Sequence, residues 1–377
     1  MERTLISILM KTIDKDNLGW LLQKLTDNGY SIIGPVMRDG AIIYDEIKSI
    51  NDLPAGWTDE QDAGKYRLKK RKDNALFGYI IGIQSLKKYF FPPKLKLWEA
   101  DKKGAGFKIN PSNRNQPKYA FIGVRSCELN AVFIQDKVFS NGSFTDSYYN
   151  NLRNNAFIIA VNCTQAAKTC FCVSMKTGPK AGSGFDIALT EIVSEKEHFF
   201  TIETGSPQGK EIIAGLTLNK ASDTEISKAA KAIQNAKSKM GRVMDTTNIK
   251  ELFYNNTENP HWNEVANRCL LCANCTMVCP TCFCSTVDDI TDLKGNHAER
   301  WRKWDSCFSL DYSKVAGGNF RTSARARYRQ WITHKLASWI DQFDTSGCVG
   351  CGRCISWCPV GIDITEEVKK LRITKKT

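Results

Sequence analysis

Two runs of cysteine dominate the sequence. Cys269-x2-Cys272-x2-Cys275-x3-Cys279-Pro280 is followed by Cys348-x2-Cys351-x2-Cys354-x3-Cys358-Pro359. Each has the spacing that binds a cubane iron–sulfur cluster. Three thiolates on a tight loop grip three irons of one cube, and small residues such as Gly350 and Gly352 let the backbone wrap closely. In two-cluster proteins the fourth cysteine ligates the other cube. The expected ligand sets are Cys269, Cys272, Cys275 and Cys358 for one [4Fe-4S] cluster, and Cys348, Cys351, Cys354 and Cys279 for another. Structural zinc is the competing reading. Zinc sites, however, use two separated CxxC pairs, not two four-cysteine runs each closed by Cys-Pro.

A third constellation is Cys163-x6-Cys170-x-Cys172. Cysteines two apart on an extended segment point to one side. Cys127 is a candidate fourth thiolate and Asp186 the carboxylate alternative, so a third [4Fe-4S] cluster is expected here. Partly buried free thiols are the competing reading. Cys282, Cys284 and Cys307 stay unassigned. The tetrapeptide Thr-Cys-Phe-Cys occurs at Thr169–Cys172 and again at Thr281–Cys284, which leaves open a shared or additional metal site, chance, or packing beside the first run.

The elements that must position these residues follow from periodicity. Leu18, Leu21, Leu22 and Leu25 mark one face of a helix over Asp16–Asn28. Ser31–Val36 and Ala41–Tyr44 read as strands around Arg38-Asp39-Gly40, Ile47–Asp73 as loop, and Phe77–Gln84 as a strand. Lys118–Val124 is an apolar strand, then a helix carries Leu129, Val132, Phe133 and Val138, then Asn155–Val161 is another strand. That order predicts a parallel crossover. It puts Cys127 and Cys163 just past the C-terminal strand ends, the edge where open α/β sheets bind ligands. Asp186–Val193 and His198–Glu203 read as a hairpin. Thr201–Glu264 lacks cysteine and suits a helical connection.

The expected fold is therefore an α/β (or α+β) domain over 1–245, followed by an α-helical two-cluster ferredoxin domain over 246–377. The long insert between Cys279 and Cys348 holds Tyr328, Trp331, Ile332, Leu336, Trp339, Ile340 and Phe343 at helical spacing, a core stripe. Arg321, Arg325, Arg327 and Arg329 are expected to face the clusters or a partner, with a solvated basic face as the alternative.

Composition sets the class. The chain has 377 residues, fifteen cysteines, four histidines and a formal net charge of +13. No run of apolar residues is long enough for a membrane span. The N-terminus shows no secretory pattern, which leaves the cytosol as the expectation. A reducing compartment favours metal over disulfides. The positive charge fits nucleic acid, an acidic partner, or compensation for anionic clusters. The cluster reading favours the last. Gly178–Gly184 matches neither nucleotide-binding fingerprint. No catalytic residue is expected, since His198, His261, His297 and His334 lie in unrelated contexts.

The residues resemble a known family. CLLCANCTMVCPTCFC, RWRKWDSCF, ARYRQWITHKLASWIDQF and SGCVGCGRCISWCPVGIDITEE, with IGVRSCELNAV, AVNCT, TCFCVSMKTGP and GFDIALTEI in the first half, are similar to the beta subunit of cytosolic nickel–iron hydrogenases of the sulfhydrogenase type. The electron-transfer subunit of anaerobic sulfite reductase is a relative with the same layout. The resemblance runs from about Phe121 to Arg372, and 1–119 match little. It implies an electron wire between the small and large subunits of a NiFe hydrogenase and a flavin subunit that handles NAD(P)H, with no nucleic acid and no membrane span.

Overall fold

The computed structural model describes residues 10–111 and 116–373. Segment 1–9, on which the reading of the N-terminus partly rests, lies outside the described residues. The first half is built on an eight-stranded sheet. Its order is Asn219–Lys220, Lys11–Asp14, His198–Thr204, Ile187–Val193, Phe157–Val161, Tyr119–Val124, Ser31–Arg38 and Ala41–Glu46. The four strands from Ile187–Val193 to Ser31–Arg38 run parallel. Phe157–Val161 is buried at every position and Tyr119–Val124 at all but its first, as expected for strands covered on both faces. Gly123 sits at φ +82° in a bulge between Ile122 and Val124, where a Cβ would lie 2.7 Å from Pro35.

Leu18–Asp27 forms the expected helix and buries Leu18, Leu21, Leu22 and Leu25. Ser126–Phe139 is the crossover helix between the parallel strands. The hairpin at Ile187–Thr204 is also present.

Three expectations fail. Phe77–Gln84 is buried over 77–82, with Ile83 exposed, and is not a strand. Its backbone is satisfied by side chains instead: Glu191 accepts the amides of Leu76 and Phe77 at 2.6 and 2.8 Å, and Arg125 donates to the carbonyls of Phe77 and Tyr79 at 2.7 and 2.8 Å. The polar stretch Ile47–Asp73 contains a hairpin, Trp57–Asp62 with Lys65–Lys70, whose faces are largely polar. The cluster-bearing half is not all helical. Ser285–Thr291 and His297–Trp304 are strands, and the second pairs with Lys94–Lys103 from the first half. A four-stranded sheet thus includes segments from both halves.

The helical stripe forms a second core. Tyr328, Trp331, Ile332 and Leu336 pack with Phe253, Trp262 and Phe308. Their helix, Ala324–Phe343, passes through one π-helical stretch at His334–Ser338, a local widening that recurs at functional sites.

Candidate metal centres

The first cysteine loop leaves the helix His261–Arg268, whose Val265 carbonyl accepts the Cys269 amide at 3.1 Å. Leu271 and Ala273 both take positive φ, at 55° and 65°, which curls the loop tightly. Cys269, Cys272 and Cys275 line one cavity with Cys358. Phe308, Tyr328 and Trp331 close it on the core side. The Ile362 amide donates to the Cys358 sulfur at 3.3 Å. Cys272 is exposed, so this centre opens to the surface. Burial raises the Cys275 thiol, and the sulfurs of Cys269, Cys358 and Cys272 raise it further. Crowded thiols repel one another as thiolates, and a metal reverses that sign because it binds the deprotonated form. The donor set fits a cubane.

In the second loop Gly350 and Gly352 hold φ at +65° and +78°. Cys348, Cys351, Cys354 and Cys279 act electrostatically on one another. Burial pushes the Cys348 thiol up to about 12, against the pull of the Lys335 ammonium. Cys354 also lines the first cavity, and Cys275 acts on it from there.

Cys127, Cys163, Cys170 and Cys172 line a third cavity, and Cys351 of the second loop borders it. Cys127 lies in the first turn after Tyr119–Val124 and Cys163 follows Phe157–Val161. These strands are parallel neighbours, so the crossover delivers both thiols to one sheet edge. Asp186 is elsewhere: its carboxylate accepts from the Ile158 amide at 2.7 Å and from Ser206 Oγ at 2.5 Å. Of the two candidate fourth donors, only Cys127 is at the cavity. The 169–172 loop is clamped to the second cysteine loop. Thr169 Oγ1 and Ser356 Oγ are 2.9 Å apart, and Thr177 Oγ1 donates to the Val349 carbonyl at 2.6 Å. A Cβ on Gly350 would lie 2.6 Å from the Phe171 carbonyl carbon, and one on Gly352 2.4 Å from the Thr169 oxygen.

Residues 268–362 match the family model of the 4Fe-4S dicluster domain, a span that contains both four-cysteine runs. The chain is 30% identical over 356 residues to sulfhydrogenase 2 subunit beta of Pyrococcus furiosus, covering 90% of this chain and 92% of that protein. The chain belongs to the family of sulfhydrogenase beta subunits. No solved structure matches it. As a member with a dicluster domain, it is an iron–sulfur protein with two [4Fe-4S] clusters.

In this sulfhydrogenase-family chain the cations beside sulfur are not those the sequence suggested. Arg325 and Arg329 pair with Glu258 at 2.7 and 2.8 Å on the surface. Arg327 is buried and donates to the carbonyls of Arg321, Phe308 and Thr322. Lys335 instead reaches sulfur. Its Nζ donates to Cys279 Sγ at 3.2 Å, Cys282 Sγ at 3.5 Å, Thr281 Oγ1 at 3.1 Å and the Gly347 carbonyl at 2.9 Å. The Arg125 guanidinium acts electrostatically on the Cys163 sulfur. Arg353 pairs with buried Glu128 and acts on Cys351 and Cys127, between the second and third centres. A lone Lys or Arg in a helical pattern carries no local signature of this role. Only the π-helical turn at Lys335, invisible in sequence, marks it.

The four histidines have partners away from the cavities: His198 with Glu191, His261 with Glu264 and Glu367, His297 with Asp101, and His334 with Gln342.

Proposed function

We propose that this chain is the electron relay of a hydrogenase complex, with three cubanes in series. The reading assigns the outer positions to Cys269, Cys272, Cys275 and Cys358 and to Cys127, Cys163, Cys170 and Cys172. It assigns the middle one to Cys348, Cys351, Cys354 and Cys279. The observation that carries it is the placement of two neighbouring ligands: Cys354 borders the first cavity and Cys351 borders the third. Each such cluster, when bound, takes up and gives back one electron.

The chain's own residues hold and tune. Backbone amides such as that of Ile362 donate to sulfur, and Lys335, Arg125 and Arg353 place positive charge beside it. Both effects favour the reduced, more negative state. Burial behind Phe308, Tyr328 and Trp331 limits water.

The proposed partners are the small and large subunits of a NiFe hydrogenase at one end and a flavin, NAD(P)-binding protein at the other, in the cytoplasm. No described helix is long and apolar enough to cross a membrane. The working division is an α/β body over 1–245 and a cluster-bearing body over 246–377. The similar protein is named as a sulfhydrogenase subunit, which favours this over a role in sulfite reductase. Anaerobic affinity purification of the full chain tests the reading. It expects co-purifying nickel and flavin, and no fewer than about twelve irons on this chain, about four for each of the three cubanes. Siroheme, or a colourless zinc protein, would contradict it.

A further inference from the structure

Three cysteines remain outside the three centres, and the fold gathers them. Cys282 and Cys284 flank Phe283 on the loop after the first run, and Cys307 lies on the loop after strand His297–Trp304. Both loops are anchored. The Asp305 amide donates to the Cys284 carbonyl at 2.9 Å. Thr276 Oγ1 and Ser306 Oγ are 2.7 Å apart, next to Cys275 and Cys307. Thr281 Oγ1 donates to the Gly347 carbonyl at 2.7 Å. Cys284 and Cys307 act electrostatically on each other, and both act on Tyr312. The loop repeats the Thr-Cys-Phe-Cys tetrapeptide whose first copy supplies two thiols to the third cavity.

An independent observation concerns charge. Lys335 and Lys87 are 4% and 3% exposed. Lys335 donates only to sulfur, a hydroxyl and a carbonyl. Lys87 Nζ donates to the Met277 carbonyl at 3.2 Å and lies 3.8 Å from the Trp304 ring centre. Among the described residues neither has a carboxylate within ion-pair distance. A buried ammonium is costly without an anion. The groups around both are sulfurs: Cys279, Cys282 and Cys284 act on Lys87, and Cys279, Cys282 and Cys348 act on Lys335. The middle cubane uses Cys279 and Cys348. It leaves Cys282 and Cys284, the other sulfurs that face the lysines, without a role.

We propose that Cys282, Cys284 and Cys307 hold a further iron–sulfur cluster, distinct from the three above, whose fourth iron carries a solvent ligand. Three thiolates leave one iron of a cubane without cysteine. The three residues are only half-buried, so water reaches that position. The two lysines supply the counter-charge. An iron held without cysteine is the one most readily lost on oxidation, which leaves a three-iron cluster at this site alone.

The test compares the wild-type chain with the double variant Cys284→Ser, Cys307→Ser, both purified anaerobically with the partner subunits. Cys282 is retained because it lies against Cys279. The variant is expected to lose about four irons per chain relative to wild type while the remaining cluster spectra persist. The count is a difference between two proteins, so it stands whether or not the third cavity is filled. Equal iron in the two proteins overturns the proposal. So does zinc at this site, or a Cys284–Cys307 disulfide in the anaerobic wild type. Where the variant does not fold, wild type decides. Mild ferricyanide oxidation is expected to produce the electron paramagnetic resonance signal of a three-iron cluster, and its absence overturns the proposal.

Discussion

The Phe171 amide donates to the Gly350 carbonyl at 2.8 Å. This main-chain bond joins the Thr-Cys-Phe-Cys loop of the sheet to the cysteine loop of the ferredoxin region. It does so where any side chain on Gly350 would collide with Phe171 and Cys172. The two cysteine loops therefore pack backbone to backbone, which sets adjacent candidate centres close together.

Gly350→Ala is expected to break that packing. The left-handed φ alone costs a residue with a Cβ about 1–2 kcal/mol, and the clash adds to it. Thermal unfolding of the anaerobic protein should show a lower midpoint, with loss of iron. An unchanged melting curve would mean that the loops are not held as described.

Lys335→Met removes a cation from beside Cys279. A unit charge at such range contributes on the order of 2 kcal/mol at an effective dielectric near 20, or roughly 100 mV for one electron. Redox titration should show the potential of the cluster held through Cys279 becoming more negative by that order. Arg325→Met should shift none, because Arg325 is paired with Glu258 at the surface. Equal effects from the two variants would contradict the assignment of tuning to Lys335.

The choice of fourth donor in the third cavity is open to a paired experiment. Cys127→Ser should lower the iron content by about four per chain. Asp186→Asn should leave iron intact and weaken only the link from Ile158 to Ser206. Iron loss with Asp186→Asn and none with Cys127→Ser would reverse the assignment.

Glu367 carries a pH dependence. Burial raises its carboxyl, but hydrogen bonds from His261 and Arg268 outweigh burial and hold it below the ordinary value. A depressed carboxylate stabilises the fold above its ordinary value of 4.5 and loses that contribution as pH falls through the lower, folded one. Glu367→Gln should therefore destabilise by roughly 1–3 kcal/mol near neutrality. The gap between the two melting midpoints should narrow below about pH 4.5. A constant gap would rule out an ionised Glu367 as the source.

The cysteine runs were legible because cluster binding constrains spacing along the chain. The crossover that brings Cys127 to Cys163 was legible too, since Tyr119–Val124 and Phe157–Val161 are continuous apolar strands. Lys335 was not, because its role depends on a π-helical turn and on a loop far away in sequence. The pairing of Lys94–Lys103 with His297–Trp304 was hidden for a related reason: charged, half-exposed strands give little periodic signal, and their partner is remote. Phe77–Gln84 looked like a strand because it is apolar. Only the buried Glu191 and Arg125, from distant segments, explain why it needs no strand neighbour.

The relay itself is tested most directly by reductive titration of the anaerobic full-length chain followed by electron paramagnetic resonance. Contiguous cubanes predict that, as neighbours are reduced, the signal of the cluster assigned to Cys348, Cys351, Cys354 and Cys279 broadens and splits through spin interaction. Independent, unbroadened signals throughout the titration, or a protein with no reducible centre, would contradict the account.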